Sequence, residues 1–494
     1  MFRDLIFEML KQVQHDGGFE EDTMQEYNWF TGNNIKLGIY GESHSESIGV
    51  RLEGLACDKL DKSALAAFMK RRAPGQNDWS TPRKEADEVI VDTLQKGLFE
   101  AHIQNTNTKP HDYSNLLRTP RPGHADFTAR LKYGDSFNSS GGGAFSGRLT
   151  APLCAAGFLA MSYLEQKGIK INAHIKSIAG VKDESYNFDN RANENEFLEK
   201  LSAVPQKEFP VIDDAKGELM KEAIAKARAN NDSVGGTIEV VIQGIPGGIG
   251  GPIFEGIEAK IAALCFAVPA CKGVEFGNGF EAAELTGYTN NESFIFYYGS
   301  GVAEALEAPQ LKLHTNRCGG ILGGISVGGT VAPIVFDIAV KPTPTISKEQ
   351  NTIDLETKSN TTITVGGRHD PCIVPRAVPV YETAAALAIA DVISSDVALR
   401  DPQGPQGDQQ SLEVLRAQID LADEQLLAAL AKRMEVAEKI GLLKKQEGKA
   451  VLDTSREAQK LESIYEKTDE RSKPYIKEIY KKLFEASRDL QSKL

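Results

Sequence analysis

The sequence predicts an α/β domain over most of its length and an all-α domain at its end. Three observations carry this. From about Tyr27 to Val397, short β-branched runs alternate with helix-periodic stretches, the pattern of interleaved strands and helices. Residues 400–410, RDPQGPQGDQQ, are rich in Pro, Gly and Gln and lack an apolar anchor, which is the composition of a linker. Beyond it, Leu412, Leu415, Ile419, Leu426, Leu430, Ala437 and Ile440 recur at three-, four- and seven-residue steps, the period of one long amphipathic helix. A chain of 494 residues also exceeds what one ordinary core accommodates.

Taken in order, residues 1–24 stand apart as an N-terminal extension, with six acids against two bases and a Gly17-Gly18 break. They lack the basic start and apolar core of a signal peptide. The main domain follows over residues 25–398. Its strand candidates include IKLGIYG (35–41), DEVIVDTL (87–94), TIEVVIQGI (237–245) and PIVFDIAV (333–340). Its helix candidates include Lys62–Arg71, Ala151–Gln166, Gly217–Arg228, Glu255–Phe266 and Val380–Ile393. Glycine clusters at 141–143, 246–251 and 319–324 allow backbone to approach a ligand or another strand closely. A linker over 399–410 leads into the helical domain, 411–494.

Composition narrows the function. Hydrophobic content of 41% and charged content of 25% describe a soluble globular protein. No run of eighteen apolar residues exists, so no membrane span is expected. Six cysteines without CxxC or metal spacing read as reduced thiols of a cytoplasmic protein, with no metal. The net charge of −13 argues against nucleic acid as a partner. The tail carries 17 basic against 16 acidic residues, so the acidity lies in front of it. Small anionic substrates must then be met by local arginine clusters.

Such a cluster punctuates the tail. Arg416, Arg433, Lys444, Arg456 and Gln491 interrupt an apolar-periodic stretch, where cations are costly unless something anionic binds. Arg433 and Lys444 are about 20° apart in helical phase and roughly 16 Å along the axis, whereas Arg416 is about 100° out of phase with Arg433. That geometry fits a dianion held by several cations, one donated by a partner subunit. The residues Leu415-Arg416, Lys432-Arg433, Lys444, Asp453-Thr454-Ser455-Arg456-Glu457, Ser487 and Gln491 closely resemble the all-helical class of chorismate mutase. The resemblance implies three-helix chains in an intertwined dimer that needs no cofactor. It assigns Arg433, Arg456 and the partner's Arg416 to the substrate carboxylates, and Lys444 and Gln491 to the ether oxygen. Glu457, Asp453 and Ser487 would meet the hydroxyl side. A Claisen rearrangement needs no nucleophile, only a folded substrate and charge stabilisation on the breaking bond.

Three loops dominate the front domain: Gly41-Glu42-Ser43-His44, Arg121-Pro122-Gly123-His124-Ala125-Asp126 and Arg368-His369-Asp370-Pro371-Cys372. Each sets ionisable groups beside a Gly or Pro turn, where a loop presents them to a ligand. With the glycine clusters and Lys341-Pro342-Thr343, they resemble chorismate synthase over about residues 27–397. The resemblance implies a β-α-β sandwich, a homotetramer, bound reduced flavin mononucleotide (FMN), and 1,4-elimination of phosphate from 5-enolpyruvylshikimate 3-phosphate to give chorismate. His44, His124 and Asp370 take the family's catalytic positions. Arg72, Ser146, Arg148 and Arg368 would face substrate, and Arg121, His124, Lys341 and Thr345 the flavin. The chain departs from the family pattern at Ser45, Ala144, Leu149 and Asp78, around 290–292, and in a shortened stretch at 97–108.

The leading reading is therefore a bifunctional shikimate-pathway enzyme, synthase in front and mutase behind. Two alternatives stand beside it. One is an active mutase fused to a flavin-binding module without turnover; the other is an active synthase with a dimerising or regulatory tail.

Overall fold

The structure is a computed structural model that describes residues 27–75, 77, 79–81, 85–106, 116, 118–134, 140–297, 310–366, 370–395, 412–465 and 473–493; for residues 140–141, 310, 394–395, 412–425 and 428 it describes the backbone. The expected extension (1–24) and linker (399–410) lie outside the described residues. The chain divides into two compact units, within residues 1–402 and 403–494.

In the first unit, β1 (Tyr27–Thr31), β2 (Lys36–Tyr40), β3 (Ser47–Glu53), β4 (Ile90–Gln95) and β5 (Leu98–Gln104) form an antiparallel sheet in the order β1-β2-β3-β5-β4. A second sheet, also antiparallel, joins β6 (Lys170–Ile178), β7 (Val181–Lys182), β8 (Gly236–Gln243), β9 (Cys271–Phe276) and β14 (Ile334–Val340) in the order β7-β6-β8-β14-β9. Three small hairpins complete the strands: β10–β11 (Phe294–Tyr297, Gln310–Leu313), β12–β13 (Ile321–Leu322, Ile325–Ser326) and β15–β16 (Gln350–Asp354, Ser359–Ile363).

The helices are α1 (Lys62–Arg72), α2 (Asp126–Tyr133), α3 (Thr150–Glu165), α4 (Glu194–Ala203), α5 (Asp214–Ala229), α6 (Ile257–Ala267), the single turn α7 (Gly287–Asn290) and α8 (Val374–Ser395). Helix α3 packs on the first sheet and on α8, and α8 packs on the second sheet, so a helical layer lies between two sheets. A helix in that position has no solvent face, and its sequence shows none. Ala384 to Ala390 are all buried in α8, and Ala151 to Gly157 in α3. The two helices approach so closely that a Cβ on Gly157 would lie 2.2 Å from Thr383 Cβ.

Strands show the complementary rule. In β3, Ile48, Val50 and Leu52 enter the core while Arg51 and Glu53 pair on the outer face at 2.5 Å. One expectation needs correction. Helix α8 begins at Val374, six residues before the expected Val380, and runs through Pro379. Proline removes one backbone donor but already has helical φ, and burial on both sides keeps the helix intact. The shortened stretch at 97–108 supplies β5, paired on both edges; residues 107–108 lie outside the described residues.

The second unit contains α9 (Leu412–Gln446), α10 (Thr454–Tyr465) and α11 (Lys473–Ser492). Helices α9 and α10 each pack on α11. It is all-α, as expected.

Candidate functional site

Loops and helix ends of the first unit enclose a cavity of about 260 Å³. Its lining includes Ser43, Arg72, Glu85, Arg121, Ser146, Arg148, Thr345, Asp370 and Arg376. Thus Arg72, Arg121, Ser146, Arg148, Thr345 and Asp370, widely separated in sequence, meet at one place. Arg368 lies outside the described residues, as do Asp78, Arg83 and Lys84.

The arginines are held by buried acids. Asp87 gives one carboxylate oxygen to Arg72 and the other to Arg148. Burial works to raise the Asp87 carboxyl, but the two guanidinium groups outweigh it and hold it below the usual carboxylate range. Its backbone stands at φ +49°, in the left-handed region that non-glycine residues avoid. The other Arg72 nitrogens donate to Thr150 Oγ1 at 3.1 Å and Gly147 O at 2.9 Å. Arg148 donates from Nε to Asn105 Oδ1 at 2.9 Å and lies 3.4 Å from Glu85, but its Nη2 is buried with no protein acceptor. Asn105, at the end of the shortened stretch, also donates to Glu42 O and Ser45 O, tying this wall to the His44 loop.

His44 follows Ser43, whose backbone N–H donates to Gly143 O at 3.3 Å. Ser45, where the family has glycine, does not have positive φ; its hydroxyl accepts from Glu42 N at 2.9 Å and donates to Ser47 O at 2.7 Å. That substitution closes the turn without strain. Leu149 is half-buried against the core, and Ala144 is exposed. Glu292, in the altered loop, accepts from Cys318 N at 2.8 Å.

His124 sits on the opposite side of the glycine cluster. Its Nδ1 lies 2.6 Å from Asp126 Oδ1 and 3.1 Å from Arg121 Nη2, and a Cβ on Gly142 would come within 3.2 Å of its Nε2. Burial works to raise the Asp126 carboxyl, but hydrogen bonds from Arg121 and His124 hold it well below its ordinary value. Arg121 Nη1 donates to Thr345 Oγ1 at 3.1 Å. Lys341 donates to Gly123 O at 2.6 Å, and burial followed by the field of Lys272 lowers its pKa.

Asp370 is the remaining ionisable wall. One of its oxygens takes a hydrogen bond from Arg376, and the other is buried without a partner. Burial pushes its carboxyl up, against the pull of Arg376. Ser43 Oγ, Arg148 Nη2 and Asp370 Oδ1, all on residues of this cavity, are buried polar atoms with no protein partner. Such orphans are uncommon and mark a place built for a polar ligand. Glu85, Asp87, Asn105 and Arg376 escaped the sequence reading, and Ser43 entered it only as part of the His44 loop.

In the second unit, Arg433 donates to Ser487 Oγ at 2.5 Å and Leu483 O at 3.2 Å, and its guanidinium covers the Phe484 ring at 5.7 Å. Ser487 is buried, and Gln491 stands half-exposed one turn further along α11. Asp453 caps α10 by accepting from Arg456 N at 2.9 Å, while the Arg456 side chain is exposed. Glu457 is paired with Arg488 at 2.5 Å, and Lys444 donates to Val451 O at 2.7 Å. One chain thus joins Arg433 to Ser487 but leaves Lys444 and Arg456 on separate contacts. The Arg416 side chain lies outside the described residues.

Residues 35–394 match the family model for chorismate synthase. The chain belongs to the chorismate synthase family. It is 41% identical to the chorismate synthase of Lancefieldella parvula over 378 residues, 74% of this chain and 96% of that protein. The chorismate synthase of Methanocaldococcus jannaschii is 39% identical over 375 residues, 73% of this chain and 95% of that one. A crystal structure of chorismate synthase superposes with a TM-score of 0.56 at 22% identity, covering 80% of this chain and 99% of its own, a likeness of fold. Residues 415–492 match the family model for chorismate mutase type II. The chain is a chorismate synthase fused to a chorismate mutase, two enzymes in one polypeptide. The first eliminates phosphate from 5-enolpyruvylshikimate 3-phosphate and the second rearranges the resulting chorismate to prephenate. The synthase family depends on FMN. Among the described residues, no helix is long and apolar enough to cross a membrane.

Proposed function

We propose that the cavity between Ser43, Arg148 and Asp370 is the synthase site, and that the motif residues around it divide the elimination between them. The observation that carries this is the convergence of three orphaned polar atoms on one arginine-lined cavity. Arg148, with Arg72, Ser146 and Arg368, holds the anionic substrate; guanidinium forks suit phosphate and carboxylate. Arg148 Nη2 is the donor free to do so, whereas each Arg72 nitrogen already has a protein acceptor. His44, on the loop pinned by Asn105 and Gly143, gives a proton to the departing phosphate. Asp370 accepts the C6 proton at Oδ1.

The residues present suit reduced FMN. Arg121, Lys341 with the nearby Lys272, and Thr345 supply cations and a hydroxyl for a phosphate-bearing ring system, and the positive φ of Gly142 (+94°) leaves the face of His124 open. Bound there, the reduced flavin supplies electron density to the substrate. His124 keeps a proton at this face, its ring fixed through Nδ1 by Asp126.

In the mutase unit, Arg433, Arg456 and Arg416 of the partner subunit hold the two carboxylates. Lys444 and Gln491 stabilise charge on the ether oxygen, and Asp453, Glu457 and Ser487 meet the hydroxyl side. Support for a second chain comes from uncovered apolar surface on α9: Leu426, Leu427, Val436, Ile440, Leu442 and Leu443 are all exposed. We take residues 25–398 and 411–494 as the two domains, the assembly as a homotetramer containing an intertwined mutase dimer, and the location as cytoplasmic.

The test is anaerobic incubation of the whole chain with reduced FMN and 5-enolpyruvylshikimate 3-phosphate, following chorismate and then prephenate. Ala at His44, His124 or Asp370 is expected to remove chorismate formation and leave the mutase rate unchanged. Prephenate formed from added chorismate, with no chorismate formed from its precursor, would make the front domain a flavin-binding module instead.

A further inference from the structure

We infer that Arg376 is a positioning residue for the synthase reaction, fixing one oxygen of Asp370 so that the other is left as the proton-accepting atom. This rests on the reading of Asp370 as the base.

Arg376 lies in the first turn of α8 and makes two tertiary contacts. Its Nη1 donates to Asp370 Oδ2, and its Nε donates to Arg72 O, the last residue of α1, at 3.0 Å. The Asp370 backbone is anchored separately, its carbonyl accepting from Thr343 Oγ1 at 2.5 Å. Main chain and Oδ2 are therefore both fixed, and Oδ1 is the buried atom without a partner. Both residues line the cavity. The arginine thus selects which lone pairs remain for a ligand.

It also sets the charge. The groups facing Asp370 are Arg376 from α8, Arg72 from α1, the Thr81 backbone and the Thr343 hydroxyl, with Glu85, Arg121 and Arg148 elsewhere on the cavity wall. Burial is the strongest influence on the carboxyl and favours its protonated form; Arg376 is the strongest opposing one. Arg376 also borders a second cavity of about 380 Å³, lined by the exposed Lys70 and by two paired cations: Arg71 pairs with Glu382 at 2.7 Å and Lys207 with Asp214 at 2.7 Å. Neither of these is placed to take over from Arg376. A protonated Asp370 has no charge with which to accept the substrate proton, so a neutral residue at 376 should lose activity from the acid side.

The experiment compares full-length wild type, Arg376→Gln and Arg376→Lys with reduced FMN, measuring kcat and KM for chorismate formation across pH. In Arg376→Gln the acid limb of kcat is expected to move up by about one pH unit or more, a roughly tenfold loss on that limb, while KM changes little. Arg376→Lys, which keeps a cation, should return the limb most of the way. A second readout uses enzyme without flavin: the ¹³C-carboxyl resonance of Asp370, identified by its disappearance in Asp370→Asn, should titrate at higher pH in Arg376→Gln. A folded Arg376→Gln that loses turnover with the limb and the resonance unmoved overturns the inference and makes Arg376 structural. If Arg376→Gln does not fold, an Arg376→Lys whose limb is displaced as far as a charge deletion predicts overturns it equally. A wild-type synthase rate in Asp370→Asn is a different result, because it removes the base reading whatever Arg376 does.

Discussion

Asp87 has no place in the motifs, yet it organises the arginine-lined cavity of the first unit. Its partners lie 15 and 61 positions away, and an ion pair across such a span leaves no local pattern to read. His44, His124 and Asp370 were singled out because each sits beside a Gly or Pro turn. Asp87, Asn105 and Arg376, which hold those residues and the arginines in place, were not. Replacing Asp87 with Ala leaves two buried guanidinium groups near each other without their shared carboxylate. The expected loss is about 3 kcal/mol or more, read as a lower urea midpoint, together with loss of chorismate formation. A midpoint shift worth less than about 1 kcal/mol would show that Arg72 and Arg148 find other partners. In the mutase unit, Lys444 should act on the transition state rather than on folding. Lys444→Ala is expected to lower turnover ~100-fold with the melting temperature little changed. A rate within a few-fold of wild type would remove Lys444 from the site.

At the scale of elements, continuous apolar runs were read well: TIEVVIQGI and PIVFDIAV, buried on both faces, fall on β8 and β14. The alternating β3 and β5 were not named, nor was β6 of the second sheet, KINAHIKSI, which carries His174 and Lys176 among its apolar residues. Lys176 is half-buried and pairs with Asp337, and His174 is not solvated: it is fully buried between Asp183 at 3.2 Å and Glu239 at 3.0 Å. Burial lowers its affinity for a proton, but the two carboxylates prevail and raise its pKa to about 9. An unfolded histidine titrates near about 6.5. Because the folded value is the higher, the stabilisation is fully present below about pH 6.5 and is lost as pH rises through about 9. The first unit should therefore unfold at lower urea at pH 9.5 than at pH 6. The His174→Gln variant should lack His174's share of that slope. Equal slopes in the two proteins would mean that the charge on His174 does not stabilise this sheet.

The whole molecule pairs two units of very different interior. The first has a continuous core spanning both sheets and the helices between them. In the second, the described residues place only Ala437 and Phe484 among the buried hydrophobic side chains, while Leu427, Leu443 and Tyr475 stand more than half exposed. Three helices with so little buried apolar area fall short of what a small domain needs alone. The heptad-like spacing showed a long helix but not what covers it, because a period specifies a face and not its partner. The dimer we propose would supply both the missing cover and the missing cation from a second copy. Arg416 is out of phase with Arg433 on α9, so one helix does not easily present both to one pocket. In the twofold dimer we propose, each site would take Arg433 from one chain and Arg416 from the other. Neither Arg416→Ala nor Arg433→Ala alone should rearrange chorismate at an appreciable rate. Mixed and allowed to exchange, half of the dimers become heterodimers with one intact site of two, so about a quarter of the wild-type mutase rate should return. The chains must be shown to exchange, for example by recovering a tagged chain with an untagged one. If they do and no activity appears, each pocket is built from a single chain, and the uncovered face of α9 serves assembly without contributing to catalysis.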